Sequence, residues 1–374
     1  MKNLDRYILI RAYVNGNLGD DLFVRILCDR YPNSNFILIG SKKYRDYYAD
    51  INNLSYLIAD DFRHKVLEKL KNVIGRFCDN YKLENYRRSV EMYASMSQEV
   101  KENILISGSY FIEWTRNRKY WKNYFEEESK YYSMKPIIMG INFGPYETQY
   151  YYDSAVNLLK EGCFLSVRER KTMTLLSSLK PVYAPDIVFT LNRKIKKEEK
   201  KYITLVVVNE KCCTQKYVKV LAAYMNKLLK QNYFIKIICF CKAEGDVKTA
   251  DKLLKNIEDT SRVDVIVYSG VNLDEILSTI ANSQLLIAGR YHAMILGWLY
   301  GINVIPICYS QKMINVINDL FPDTVYFELQ DIEKIDDIDV TEIKNIVENS
   351  TMEKIISFAQ ENFRYLDNLL EELE

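Results

Sequence analysis

Two consecutive series of short apolar runs, each run followed by a longer stretch of helical period, constrain this chain more tightly than any other feature of its sequence. The first series is RYILIRAYV (6–14), FILIG (36–40), NILISG (103–108), KPIIMGINF (135–143) and CFLSV (163–167). The second is YITLVVV (202–208), YFIKIICF (233–240), VDVIVY (263–268), QLLIAG (284–289) and NVIPICY (303–309). Runs this short and this continuously apolar read as strands buried on both faces, and strands alternating with helices build a parallel sheet covered by helices. The pattern predicts an α/β fold of two doubly wound units. Between the series, LNRKIKKEEKK (191–201) is a solvated charge cluster and the best linker in the chain. It predicts a first domain over 1–190, a second over 202–340, and an acidic helical tail over 341–374 that packs back across the first. Residues 62–101, charged and rich in tyrosine, predict two helices. A length of 374 residues agrees with two domains, because one hydrophobic core rarely serves so long a chain.

Charge and cysteine usage remove several classes of function. Lys and Arg number 51 against 50 Asp and Glu, a net charge of +1, which lacks the basic excess of a dedicated nucleic-acid binder. The eight cysteines are scattered and form no paired CxxC pattern, so they read as reduced core thiols of a cytoplasmic protein, with no metal centre. The N-terminal apolar stretch is interrupted by Arg11, too soon for a signal peptide, and no run approaches the ~18 apolar residues of a membrane span. Tyrosine is abundant, 30 against 15 phenylalanines, which reads either as stacking platforms or as amphipathic filler in a biased composition.

Ligands of doubly wound sheets sit beyond the carboxyl ends of the strands, and that rule selects four loops. VNGNLGDDLF (14–23) follows the first strand, with Gly16 and Gly19 permitting a tight turn and Asn17, Asp20 and Asp21 leading into a helix. This is either a helix start and nothing more, or a set of amides gripping a phosphate or a sugar hydroxyl. ISGSYFIEW (106–114) offers the small residues Ser107, Gly108 and Ser109, which allow close approach to the backbone. A plain strand-to-helix connection has the same composition. FLSVRERKT (164–172) puts Arg168 directly after a buried strand, and QLLIAGRYHA (284–293) puts Arg290, Tyr291 and His292 at a strand-to-helix junction. The chain has two histidines, His64 and His292. A lone histidine on an apolar helix is usually a satisfied core residue. Here its place at a helix start and its neighbouring arginine oppose that reading.

GNLGDDLF, SGSYFIEW, SVRERKT, APDIVF and GRYHAMILGWLYGINVIPICYSQKM, in this order across most of the chain, resemble the polysaccharide pyruvyl transferase family. The most specific element is the Arg-x-His-Ala block followed by a strand and the Tyr-x-x-Lys of Tyr309 and Lys312. The chain departs from the family at Ser107-Gly108-Ser109, where a run of glycines is common, and at Tyr291, where leucine is usual. The resemblance implies two Rossmann-like lobes of the GT-B type. It also implies transfer of a pyruvyl unit from phosphoenolpyruvate to sugar hydroxyls of a surface glycan, with Arg168 and Arg290 holding the donor and His292 acting as the acid.

The chemistry suits those residues. Phosphoenolpyruvate carries a carboxylate and a phosphate, roughly three negative charges, which arginine forks and helix N-termini bind. Ketal formation needs a proton on the enol carbon, and histidine supplies one near neutral pH. Asp20 is expected to orient or deprotonate an acceptor hydroxyl from the first domain, and Lys312 to support the donor phosphate. The scheme requires no cofactor and no metal. The acceptor is a free glycan or a lipid-linked sugar, the latter met at the cytoplasmic leaflet by peripheral contact. Two other readings stay open: a GT-B glycosyltransferase using a nucleotide sugar, and a non-catalytic binding protein of glycan biosynthesis.

Overall fold

Strands form where the apolar runs predict them, and every pairing among them is parallel. The computed structural model describes residues 7–58, 90–196, 198, 202–340, 343 and 347–371. In the first sheet, β1 (Tyr7–Arg11), β2 (Asn35–Gly40), β3 (Leu54–Ile58), β4 (Glu102–Ile106), β5 (Ile137–Ile141), β6 (Phe164–Val167) and β7 (Val182–Tyr183) lie in the order β3-β2-β1-β4-β5-β6-β7. Helices α1 (Leu18–Arg30), α2 (Arg118–Tyr132), α3 (Gln149–Leu159) and α4 (Arg170–Leu175) connect these strands. In the second sheet, β8 (Tyr202–Val206), β9 (Phe234–Cys239), β10 (Val263–Val267), β11 (Leu285–Ala288), β12 (Asn303–Cys308) and β13 (Phe327–Glu328) lie in the order β10-β9-β8-β11-β12-β13. Their helices are α5 (Gln215–Lys230), α6 (Asp246–Leu254), α7 (Leu273–Ala281), α8 (Tyr291–Leu299) and α9 (Gln311–Leu320), and α10 (Asn349–Ala359) and α11 (Arg364–Glu371) close the chain. Both sheets have the doubly wound order, whose switch points fall between β1 and β4 and between β8 and β11.

Local chemistry accounts for several helix starts. Asn117, Thr148 and Thr214 cap α2, α3 and α5, each side chain accepting the N–H three residues on at 3.1–3.2 Å, a contact worth ~1 kcal/mol. By contrast Arg290 and Ser310, which precede α8 and α9, cap them with no side-chain hydrogen bond.

The two cores differ. The second sheet packs aliphatic β8, β9, β11 and β12 against α5. The first fills its core with Tyr93, Tyr120, Trp121, Tyr131, Tyr132 and Tyr151, so much of the tyrosine surplus is core packing. At the end of β1, Arg11 is buried there in a two-pronged ion pair with Glu128, 2.9 and 2.5 Å, its guanidinium 4.6 Å from the Tyr131 ring centre.

The chain divides into two compact units, the first comprising Met1–Val14, Leu27–Asp186 and Gln360–Glu374, the second Asn15–Ile26 and Ile187–Ala359. Three expected boundaries shift. The crossing falls at Asp186 rather than in the charge cluster, because Asp186 is fixed to Arg168 while Ile187–Thr190 packs against α8 and α10. The tail divides at Gln360, its earlier part staying with the second unit. Asn15–Ile26, expected in the first domain, belongs to the second. The returning segment is tied into the first unit by Asn362, which accepts a hydrogen bond from Ser166 Oγ (2.7 Å) and donates to the Pro185 carbonyl (2.8 Å), and by Asp367, which pairs with Arg30 at 2.7 Å. Ser166 in turn accepts the N–H of Gly140 at 2.8 Å, where β5 breaks register and glycine takes φ +64°. Residues 62–89 of the two expected helices, and with them His64, lie outside the described residues. Among the described residues no helix is long and apolar enough to cross a membrane.

Candidate active site

In the second unit, the loop that leaves β1 is held by the end of β9. Leu18 donates its N–H to the Phe240 carbonyl (3.1 Å), Asn17 forms an antiparallel bridge with Cys241, and Asn17 Nδ2 donates to Glu244 Oε1 at 3.4 Å. Asn17 Oδ1 accepts the Gly19 N–H at 3.1 Å, which shapes the turn into α1. Farther along α1, Arg25 donates to the Gly270 carbonyl at 3.2 Å, and Asp21 and Arg25 both reach the Tyr268 hydroxyl. All three side chains are buried.

This anchored loop meets His292. A Cβ built on Gly19 would overlap the His292 ring at Nδ1, so only glycine fits there. The imidazole stands edge-on to Phe23 and to Tyr291, each at 5.1 Å and 85°. Asp20 follows Gly19, and burial pushes its carboxyl up to about 6; His292 and Lys312 pull it down, while Asp21 and Glu244 add to the rise. Lys312, half-buried at the start of α9, holds its Nζ 5.7 Å from the centre of the Tyr291 ring. Because β11 pairs with β12 in register, Ala288 opposite Pro306, the starts of α8 and α9 emerge side by side. Ser310 Oγ, at the second of them, is buried and makes no hydrogen bond among the described residues.

Arg290 lies under the same site. It is buried, and its two terminal nitrogens donate to Glu244 and Asp246. Asp246 also accepts the Cys241 N–H at 2.9 Å. Burial raises the Glu244 carboxyl, but Arg290, Asn17 and Lys312 outweigh it and hold it below its ordinary range. For Asp246 burial prevails over Arg290, and its carboxyl is raised.

The other expected residues assemble in the first unit. Arg168, 1% exposed, donates to Asp186 and to Asn142, both at 2.7 Å. Its guanidinium lies against Gly108, where an added Cβ would overlap it. The Gly108 carbonyl accepts the Asn142 N–H at 2.8 Å, Ser109 Oγ donates to Asn142 Oδ1 at 3.3 Å, and Ser107 is buried.

Each expected residue thus falls in one of two groups: Asn17, Gly19, Asp20, Arg290, Tyr291, His292 and Lys312 in the second unit, and Ser107, Gly108, Ser109 and Arg168 in the first. The first-domain placement of Asp20 is corrected, because the loop follows β9 rather than the strand it leaves. The arginine forks expected to face the donor are both engaged by protein carboxylates. Sequence reasoning did not single out Asn142, Asp186, Glu244, Asp246 or Phe23. Asp186 lies in APDIVF, a segment that carried the family resemblance, and its isolation in an apolar run was the signal available.

Two doubly wound units with site residues on the loops after their strands define an α/β protein of the GT-B type. Solved structures of that fold match over nearly the whole chain. They include MnaA of S. aureus with UDP (9% identity, 96% of each chain, TM-score 0.56) and Anabaena HepE with UDP and glucose (9%, 97% and 99%, 0.54). A UDP-forming α,α-trehalose-phosphate synthase from Burkholderia vietnamiensis is a third (8%, 100% and 99%, 0.53). At such identities the likeness shows the fold alone. No curated protein matches the chain. The polysaccharide pyruvyl transferase family model matches residues 17–311, and the chain belongs to that family of transferases.

Proposed function

We propose that this protein transfers the pyruvyl group of phosphoenolpyruvate to two hydroxyls of a sugar in a polysaccharide or its precursor, forming a ketal. The observation that carries the reading is the seating of His292 on Gly19 beside Asp20 and Lys312, which joins the two ends of the family match in one cluster. The uncapped starts of α8 and α9, with Ser310 and Lys312, present amides, a hydroxyl and a cation to an anion. On this reading they hold the donor phosphate and carboxylate, while Arg290 braces the turn at Glu244 and Asp246 within the same unit and Arg168 braces the Ser107–Ser109 loop within the first.

His292 gives its proton to the enol carbon, and the first sugar hydroxyl adds to the cationic C2. Asp20, able to take a proton near pH 6, accepts the one that hydroxyl releases. The second hydroxyl then closes the ring as the C2–O bond to phosphate breaks. Of the two hydroxyl protons, one replaces that given to the methyl group and the other leaves with inorganic phosphate. The reaction runs in the cytoplasm, where phosphoenolpyruvate is made, on a free or lipid-linked glycan.

The test is incubation of the full chain with phosphoenolpyruvate and a panel of oligosaccharides, reading phosphate release and a mass gain of one pyruvate less water. Parallel arms with nucleotide sugars read glycosyl transfer. Glycosyl transfer without phosphoenolpyruvate consumption refutes the proposal, and so does inactivity in every arm.

A further inference from the structure

Among the three tryptophans, Trp121 and Trp298 are each 2% exposed, whereas Trp114 is 49% exposed. We infer that Trp114 is a stacking platform for a pyranose ring of the acceptor glycan. The inference rests on the glycan-acceptor reading above and adds the residue that selects the sugar.

The exposure of Trp114 is built into the fold. On one side Glu113 donates its N–H to the Pro145 carbonyl (2.9 Å), and its carboxylate accepts the N–H of Glu147 (2.6 Å) and of Thr148 (2.8 Å) and the Thr148 hydroxyl (2.6 Å). On the other, the Thr115 carbonyl accepts the indole N–H of buried Trp121 at 2.6 Å. The Trp114 ring itself leans on Tyr120 and Trp121, with centres 4.7 and 5.8 Å away and planes tilted by 68° and 64°. A half-exposed indole held this firmly keeps apolar surface in water at a standing cost. It loses little freedom when a ligand covers it.

Position and surroundings fit a sugar. Trp114 lies on the loop that leaves β4 at the switch point of the first sheet, the same loop whose Gly108 supports Arg168. Tyr13, 56% exposed, leaves the paired strand β1. Exposed Arg116 and Glu147 form an ion pair beside Trp114 in sequence and in the loop that Glu113 grips. A pyranose offers an apolar C–H face to an aromatic ring and hydroxyls at its rim to such charged neighbours.

The test reads acrylamide quenching of tryptophan emission in the full chain. Trp114→Phe should abolish most of the quenchable signal. Lactose, cellobiose, maltose and chitobiose are the saccharide probes, with UDP as the contrasting nucleotide. Shielding of the parent by at least one saccharide and not by UDP is the expected result. Where that saccharide is pyruvylated, Trp114→Ala should raise its KM roughly tenfold, the scale of one lost aromatic stack, with Trp114→Phe intermediate and the KM for phosphoenolpyruvate unchanged. Shielding by UDP alone, or no shielding by any saccharide, overturns the inference. Shielding without phosphate release upholds the platform while removing pyruvyl transfer, so the two readings fail separately.

Discussion

His292 meets α1 through the edge of its ring on Phe23 and through the Gly19 turn, and the residue as a whole is only partly buried. Replacing it with Gln should therefore lower turnover by ~10²- to 10⁴-fold, the cost of a missing general acid, while stability changes by less than about 1 kcal/mol. Thermal melting and phosphate release on one preparation check both halves. A structural histidine would reverse the pattern. Asp20 yields a prediction in pH. Its carboxyl is raised from 3.8 to about 6, so the folded chain binds that proton more tightly than the unfolded one. Ionising Asp20 then erodes stability as pH rises from about 4 to 6, and the loss is complete above that. Asp20→Asn should match the parent in stability below pH 4 and exceed it at pH 7, by at most roughly 3 kcal/mol, since Asp20 is partly exposed. Urea titrations at the two pH values measure this. The same variant should lose the acidic limb of the activity profile near pH 6 along with most of its turnover.

Arg290 connects elements distant in sequence, the start of α8 with the turn before α6. Its removal leaves Asp246 as a buried carboxylate beside the partly buried Glu244, so Arg290→Ala should cost about 3 kcal/mol. Arg290→Lys should recover part of that, because lysine keeps the charge and loses the fork. A urea midpoint unmoved in the Ala variant would assign Arg290 to the donor alone. Elements of this kind were legible unevenly. β8, β9, β11 and β12 are long apolar runs whose strand character is local, and they stand where sequence places them. β3 has a polar residue inside it, and β7 and β13 are two-residue strands that exist through a neighbour's hydrogen bonds. Glu244 and Asp246 carry no local signal for a similar reason: KAEGD (242–246) has the composition of a surface turn, and its first residues are exposed, while contacts distant in sequence, from Arg290 and Asn17, hold its two carboxylates.

For the chain as a whole, the α/β class and the two-unit division follow from the alternation of runs, whereas the segments exchanged between units do not. Nothing in GNLGDDLF announces that it is held by β9, since that pairing is set by Phe240, Cys241 and Glu244 together. The tail was legible as a helix, but its anchor depends on Asn362 and Asp367, which look like solvent-facing residues. Deleting 360–374 removes buried Phe363 and Leu366 with both polar ties, so the first unit should lose at least about 5 kcal/mol. Hydrogen exchange should quicken in β5, β6 and β7 and stay slow in β8, β9 and β11. Equal acceleration in both sheets would contradict the division at Gln360.

That return of the chain at Gln360 bears on how the protein is made. A ribosome delivers β1 through β7 first, yet the residues that lock them, Asn362, Phe363 and Asp367, emerge only after the whole stretch 187–359 has been synthesised. The second unit has nearly everything it needs as soon as its own sheet is out, including 15–26, which arrived early. Order of birth and order of completion are therefore inverted: the half begun first is the last to be finished, and the nascent first sheet carries an unfilled tail site throughout elongation of the second.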